Sequence, residues 1–259
     1  MKHENVLVSV VMPAYNDEPF IFDAISSVLN QTHRNLELIV VEDCSLDKTL
    51  NVINSFHDDR IRLFANKNNR GAAYSRNLAI KESKGEYIAF LDGDDLWEKD
   101  KIEKQLDFMI SNSYGFSYSN YREINNSGET TNIFYTGPKK INHRGFMRMN
   151  YVGCLTVMYK KSVYPDLSIP NDIVRRNDYA LWLKLSEKSN CYLLDCVLAN
   201  YRRRDTGSIT TSNKNNPYIY HKKLFKELYG YNGFKCCLIF MRGVFYSIVK
   251  KIIWRKKYD

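Results

Sequence analysis

Hydrophobic positions in the first half of the chain alternate between two spacings. Continuous apolar runs of strand length occur at "VLVSVVMPA" (6–14), "NLELIVVED" (35–43), "RIRLFAN" (60–66) and "EYIAFLD" (86–92). Between them, apolar residues recur at helical spacing. In "EPFIFDAISSVLNQ" (18–31) the face is Phe22, Ile25, Val28 and Leu29, and further helices are expected at 46–56, at 71–84 behind Gly71, and at 99–112. Unbroken apolar runs suit strands covered on both faces, so the alternation predicts an α/β architecture with a mainly parallel sheet flanked by helices. After residue 112 the pattern loosens. Strands are expected at 115–124, 155–161 and 191–203, and a helix over "NDYALWLKLSEK" (177–188), while 125–150 carries no clear period. Past residue 212 the polar stretch "SNKNNPY" leads into a basic, aromatic tail.

In open parallel sheets, ligands sit beyond the carboxyl ends of the strands. Here those ends carry "PAYND" (13–17), "EDCS" (42–45), "NKNNRG" (66–71) and "DGDD" (92–95), which makes one rim from four loops. In the last loop an apolar run drives into Asp92, Asp94 and Asp95 with only Gly93 between them. Carboxylates this close repel one another and call for positive charge. A hard divalent cation, Mg2+ or Mn2+, takes oxygen ligands and bridges to phosphate. The alternative is a turn followed by a helix cap, which Asp and Gly also favour. Clustering at one rim favours the metal and a diphosphate. No GxGxxG or GxxxxGK[ST] cradle is present, but Asp43 can accept from a base N–H, Tyr15 can stack, and Arg76 can meet phosphate.

Composition narrows the partners. The 259 residues are 44% hydrophobic and 26% charged, ordinary for a folded chain, but the net charge of +9 suits an anionic partner. That charge gathers in the tail rather than along a groove and no nucleic-acid motif accompanies it, so nucleic acid is not the expected partner. Six scattered cysteines without a CxxC pair point to reduced thiols in the cytosol. No stretch reaches the roughly 20 apolar residues of a spanning helix, and 6–12 is read as a strand rather than a signal peptide. A sugar-phosphate nucleotidyltransferase would need a glycine-rich basic loop after the first strand, and "PAYNDEPF" is neither.

Taken together, "VSVVMPAYND", "SVLNQTHRNLELIVVEDCSLDKT", "NRGAAYSRNLAIKESKGEYIAFLDGDDLW", "RNDYALWLKL" and "YRRRDTGSIT" resemble glycosyltransferase family 2 in order and spacing, over roughly residues 6 to 212. The resemblance implies the GT-A fold, Rossmann-like, and an inverting transferase using a UDP-sugar with Mn2+ or Mg2+. Its domain would span 1–212, with a nucleotide-sugar half to about 112 and an acceptor half beyond. It assigns Pro13, Ala14, Tyr15 and Glu18 to the first nucleotide loop, Asp43 to the uracil edge, and Gly71 and Arg76 to the loop and helix beside the nucleotide. Asp92-Gly93-Asp94 matches the DxD motif, with Asp94 a direct metal ligand and Asp92 facing the ribose or the metal. Asp178 matches the catalytic base. Asp95, Trp182 and Arg204 are further candidates for metal, phosphate or acceptor contacts. Asp178 also reads as a helix N-cap, and Trp182 as a core residue. The chain departs from the family at Asn177, where Glu is frequent, and at Arg204, where His is frequent.

The segment "FKCCLIFMRGVFYSIVKKIIWRKK" (234–257) gathers Leu238, Met241, Phe245, Ile248, Val249 and Ile252 on one helical side, opposite Gly243, Ser247, Lys250 and Lys251. Arg242 interrupts the apolar side but is long enough to snorkel. With Arg255, Lys256 and Lys257 following Trp254, residues 213–259 read as an interfacial helical extension on an anionic membrane, or else a helix packed on the domain with a solvated basic end. The expected enzyme is therefore cytoplasmic and peripheral to the inner face of the cell membrane. Resemblance to bacterial O-antigen and capsule enzymes implies transfer of glucose or galactose from UDP to an N-acetylhexosamine on undecaprenyl diphosphate.

Overall fold

The computed structural model describes residues 3–204 and 217–257, the side chains of 247–251 and 257 aside. The end of the resemblance (205–212) and the faces expected for Ser247, Ile248, Val249, Lys250 and Lys251 lie outside the described residues.

The first half forms β1 (Val8–Ala14), α1 (Ile21–Leu29), β2 (Leu36–Glu42), α2 (Thr49–Asn54), β3 (Ile61–Ala65), α3 (Gly71–Glu82), β4 (Tyr87–Phe90), the two-residue β5 (Leu96–Trp97) and α4 (Lys101–Ser111). β3, β2, β1 and β4 lie side by side in that order, all parallel. Strand order reverses between β1, which leads to β2, and β4 on its other flank. That reversal is where an open parallel sheet forms its ligand crevice.

Side-chain alternation explains the unbroken apolar runs. Val10, Met12, Leu38, Val40 and Ala89 point into one layer with Ile21, Ile25 and Val28 of α1 and Ile102, Leu106 and Met109 of α4. Val11, Ile39, Val41, Ile88 and Phe90 point into the other, against Ala73, Ala79 and Ile80 of α3. With period two, a strand buried on both faces needs apolar residues at every position. The α1 face differs slightly from expectation. Ile21, Ala24, Ile25 and Val28 are buried, while Phe22 is exposed and its ring lies 5.0 Å from that of Phe56, tilted by 32°.

The second half comprises β6 (Phe116–Ile124), β7 (Thr130–Tyr135), β8 (Lys140–Ile141), α5 (His143–Phe146), β9 (Met158–Lys160), α6 (Asn177–Lys188) and β10 (Cys191–Arg202). The strand expected at 155–161 is shorter than its apolar run. Cys154–Thr156 forms one 3-10 turn before β9, which lies antiparallel between β4 and β6. β10 runs parallel to β6, and its end pairs antiparallel with β5, Ala199 opposite Trp97. Because β5 directly follows the acidic loop, this pairing brings the residues after β10 onto that loop.

The extension is fastened at both ends. α7 (Pro217–Tyr229) buries His221, Leu224 and Phe225, and Phe225 meets Tyr179 of α6 edge-on. α8 (Gly233–Ile253) follows, but the helix expected to continue to 257 stops at Ile253. Arg255–Lys257 forms β11, antiparallel on β7 with Lys256 opposite Phe134. The basic terminus is therefore the outermost strand of the sheet. A row of charged residues suits an edge, since it opposes pairing with another chain.

Candidate active site

The rim loops are held by buried carboxylates. After β1 the backbone turns left-handed at Asn16 (φ 53°), and Asp17 folds back so that its carboxylate accepts from the Tyr15 N–H. Thr49 Oγ1 accepts from the Asp17 N–H, tying the loop to the start of α2. After β2, Glu42 accepts from the N–H groups of Cys44 and Ser45, and Cys44 is itself left-handed (φ 61°). Asp43 accepts from the N–H groups of Arg70 and Gly71 and from Asn66 Nδ2, so the 66–71 loop wraps around it. These bonds fill three of a carboxylate's roughly four acceptor positions and leave one for a base N–H. Gly71 takes φ +83°, a conformation side chains resist, as it opens α3. Pro13 and Ala14 end β1 opposite Val41 and Glu42. Tyr15 is 41% exposed, leaving a ring face open at the rim. Glu18 accepts from the Lys48 N–H and so fixes the approach to α2.

The acidic loop sits under this rim. A Cβ on Gly93 would stand 2.6 Å from Asp17 Oδ2 and 2.9 Å from Ile21 Cδ1, so a side chain at the centre of the Asp-Gly-Asp turn would displace the Asp17 carboxylate. Arginines pair with both DxD carboxylates. Arg76, on α3, donates to Asp92 and to Asn177 Oδ1. Arg204 Nη1 donates to Asp17 Oδ1 at 2.8 Å and to Asp94 Oδ2 at 3.3 Å, while its Nη2 donates to the Asn16 carbonyl. Asp95 accepts from the Arg202 N–H at 2.8 Å, and the Arg202 side chain donates to the carbonyls of Asp94, Asn125 and Asn126. Thus the positive charge the sequence demands is already supplied by the chain itself.

Burial raises the pKa of Asp17, to about 7, with the charge of Asp94 adding to it; the Tyr15 N–H and Arg204 pull the other way. Asp94 is raised by burial and by Asp92, against Arg204.

A divalent cation still fits. Asp92 and Asp94 keep side chains 33% and 23% exposed, and each has one oxygen outside its arginine pair. Among the described residues no group of three or more His, Cys, Asp or Glu is arranged to hold a metal. Asp92 and Asp94 would therefore be the protein's donors to such a cation, two hard carboxylates of the kind Mg2+ and Mn2+ take.

Asp178 lies in the first turn of α6, entered through left-handed Arg176 (φ 61°). Burial raises its pKa, Arg76 opposes that rise, and Asn150 Nδ2 approaches its Oδ2 at 3.4 Å. By bonding both Asp92 and Asn177, Arg76 fastens the DxD turn to the helix that carries Asp178. The Asn177 departure thus preserves an acceptor for Arg76 while removing a charge.

Two candidates leave the site. Trp182 is fully buried, 5.1 Å edge-on from Phe90 and 6.0 Å from Phe116, so it is core and has no face for a sugar. Asp95 is buried beneath the loop and anchors β10, with burial holding its pKa well above the ordinary range. Sequence reasoning missed Asp17, although it lies in the quoted "PAYND", and missed Arg202. It also missed Lys101, whose fully buried ammonium lies 3.8 Å over the Trp97 ring with no hydrogen-bond partner among the described residues. A lysine at a helix start carries no local signal of burial. A cavity of about 410 Å3 lined by Tyr87, Tyr114, Lys160 and Ser189 opens at the beginning of β4, the opposite end from the rim.

Comparison with known proteins gives the family. A family model described as glycosyl transferase family 2 matches residues 9–165. The chain is 39% identical over 199 residues to the putative teichuronic acid biosynthesis glycosyltransferase TuaG of Bacillus subtilis, covering 76% of this chain and 79% of that one. It is 38% identical over 211 residues to the Escherichia coli UDP-Glc:alpha-D-GlcNAc-diphosphoundecaprenol beta-1,3-glucosyltransferase WfgD, covering 82% of each. Among solved structures, S. aureus TarS 1-349 in complex with UDP-GlcNAc superposes with a TM-score of 0.70 at 20% identity, covering 90% of this chain and 70% of that one. This last likeness concerns the fold.

Proposed function

The chain belongs to glycosyl transferase family 2, with the GT-A fold, and we propose that it is an inverting hexosyltransferase of bacterial surface polysaccharide synthesis. In this reading it transfers glucose or galactose from UDP to a hydroxyl of an N-acetylhexosamine carried on diphospho-undecaprenol. The reading is supported by the 38% identity to WfgD along 82% of both chains. The observation that carries it is the Arg76 clamp, which joins the DxD carboxylate Asp92 to the helix start bearing Asp178. Transfer needs leaving-group stabilisation and a base in one crevice, and these elements bring both. The second reading is transfer of an N-acetylhexosamine or uronic acid to another cell-envelope acceptor, and the teichuronic acid biosynthesis in the name of TuaG is compatible with it.

Asp92 and Asp94 would hold Mn2+ or Mg2+, which when bound supplies Lewis-acid stabilisation of the departing diphosphate. Tyr15 stacks on the base and Asp43 offers its remaining acceptor position to the base edge. Asp178 takes the proton of the incoming hydroxyl at a carboxylate oxygen, and attack opposite the leaving diphosphate inverts the anomeric carbon. Burial raises the pKa of Asp178 above the ordinary carboxylate value, against the pull of Arg76, which makes its carboxylate a stronger base toward the incoming hydroxyl.

The assay is UDP release from a donor panel, with and without Mn2+, for the wild type and Asp94→Ala. Metal-dependent release from one UDP-hexose, lost in Asp94→Ala, is the expected result. No release from any donor, together with no UDP binding by calorimetry, would overturn the assignment.

We further infer that α8 rests on the membrane. Phe234, Leu238, Met241, Phe245 and Ile252 form a stripe at helical spacing, and all are exposed. Exposed Arg255 and Lys256 adjoin its end. No described helix is long and apolar enough to cross a bilayer. An apolar stripe beside basic residues suits an anionic interface. Flotation with phosphatidylglycerol-containing vesicles is expected for the wild type and reduced in Phe245→Glu. A wild type that stays with the unbound fraction would exclude this docking mode.

A further inference from the structure

Three arginines meet the acidic rim, and they differ in what holds them. Arg76 is buried and bridges two elements through Asp92 and Asn177. Arg202 is buried and spends its side-chain bonds on backbone carbonyls of the DxD turn and the 125–126 turn, which a ligand does not displace. Arg204 is different. Its side chain is 15% exposed, and its charge is shared between Asp17 and Asp94, the second of which is the expected metal ligand. Like Arg76 it has an Nε with no hydrogen-bond partner among the described residues, and like Arg202 it lies over the Phe20 ring, at 5.0 Å, so what sets it apart is that its charge rests on two carboxylates at the open rim.

We propose that Arg204 is a transferable counter-ion, held by Asp17 and Asp94 while the donor site is empty and passed to the donor diphosphate when it fills, so that nucleotide and divalent cation bind cooperatively. This inference rests on the reading above, in which the donor is a nucleoside diphosphate sugar and Asp94 meets the metal.

The argument is electrostatic. Asp17 and Asp94 without a cation would be two close carboxylates under partial burial, attractive to any free divalent ion. With Arg204 between them, a divalent cation arriving alone meets a guanidinium on an Asp94 oxygen and is repelled. A diphosphate changes the balance. It offers the guanidinium fork the planar, two-oxygen partner that suits it best, and that move frees Asp94 Oδ2 for the metal. The metal and the guanidinium then both face phosphate oxygens instead of each other. Linkage requires the effect to be reciprocal, with UDP tightening Mn2+ by the same factor as Mn2+ tightens UDP.

The test measures Mn2+ binding by electron paramagnetic resonance and UDP binding by calorimetry for the wild type, Arg204→Gln and Arg204→Lys. Without nucleotide, Arg204→Gln is expected to bind Mn2+ several-fold more tightly than the wild type, and with Mn2+ present to bind UDP about 5- to 150-fold more weakly, the usual span of coupling between sites. Arg204→Lys, which keeps the charge but lacks the fork, is expected to hold Mn2+ as weakly as the wild type while still losing UDP affinity. It also serves should the Gln variant fold poorly. An ordinary phosphate-binding arginine would lower UDP affinity and leave nucleotide-free Mn2+ affinity unchanged, so that outcome would overturn the proposal. A Lys variant that binds Mn2+ much more tightly than the wild type would overturn it too. If the wild type binds neither UDP nor Mn2+, the donor assignment itself fails and this inference falls with it.

Discussion

Asp178→Asn is expected to lower kcat by about 10²–10⁴-fold, the usual worth of a positioned base, while UDP affinity stays at the wild-type level. Asparagine has the shape of aspartate, can still approach Asn150, and still sits in the first turn of α6. What it loses is basicity toward the acceptor hydroxyl. A group acting only in the transition state lowers kcat and kcat/KM together, which separates this outcome from a loss of donor binding. The pH dependence has a defined sign. The base works deprotonated, and burial raises its pKa above the ordinary carboxylate value. Wild-type kcat therefore falls as pH drops through that raised pKa, and the acid limb lies at higher pH than for an exposed aspartate. The residual rate of Asp178→Asn lacks that limb. Steady-state kinetics with a lipid-linked acceptor, followed from acidic to neutral pH, measures both features. A kcat within tenfold of the wild type would remove Asp178 from the base role.

Arg76→Met carries the largest expected cost in stability. The guanidinium is buried and is shared by Asp92 and Asn177, 101 residues from Arg76 in sequence. Methionine fills the volume but leaves a carboxylate and an amide oxygen without their donor. Removing one partner of a buried ion pair costs about 3–5 kcal/mol. Asp92 keeps a third of its surface in water, which argues for the lower end, about 3 kcal/mol. For a chain of this size that corresponds to a fall in Tm of roughly 6–12 °C. Activity falls as well, since the DxD turn and the Asp178 helix are no longer joined. Adding Asp92→Asn should recover part of the stability by removing the stranded charge, and a double-mutant cycle gives the coupling. A single variant as stable as the wild type would mean that the clamp does not hold the two elements together.

Legibility differed sharply between the halves of the molecule. In the first half every strand and helix but the two-residue β5 announced itself, because a strand covered on both faces must be apolar throughout and a covering helix must show one apolar stripe. Beyond residue 112 the strands are short, half-exposed or irregular. β7 reads "TTNIFY" with mostly unburied positions, and β8 has two residues. Such elements exist because a neighbour pairs with them, and a neighbour is not encoded in local periodicity. The same holds for β11, whose run of Arg and Lys looks like a solvated helix end until β7 offers it an edge.

The site divides along the same line. The sequence by itself determined which loops form the rim, since strand ends and motif order are local, while the roles expected of Asp43, Asp94 and Asp178 came from the family resemblance. Only the tertiary structure decided which charges meet. Arg204 reaches Asp17 across 187 residues and Asp94 across 110, and Arg202 reaches Asp95 across 107. It also decided that Trp182 fills the core and that Asp95 anchors a strand. The reason is physical: a carboxylate near a strand end looks the same in sequence whether a metal, an arginine or a backbone N–H compensates it. Which of these does so depends on the geometry of chain segments far apart in sequence, here set by β5 pairing with the end of β10.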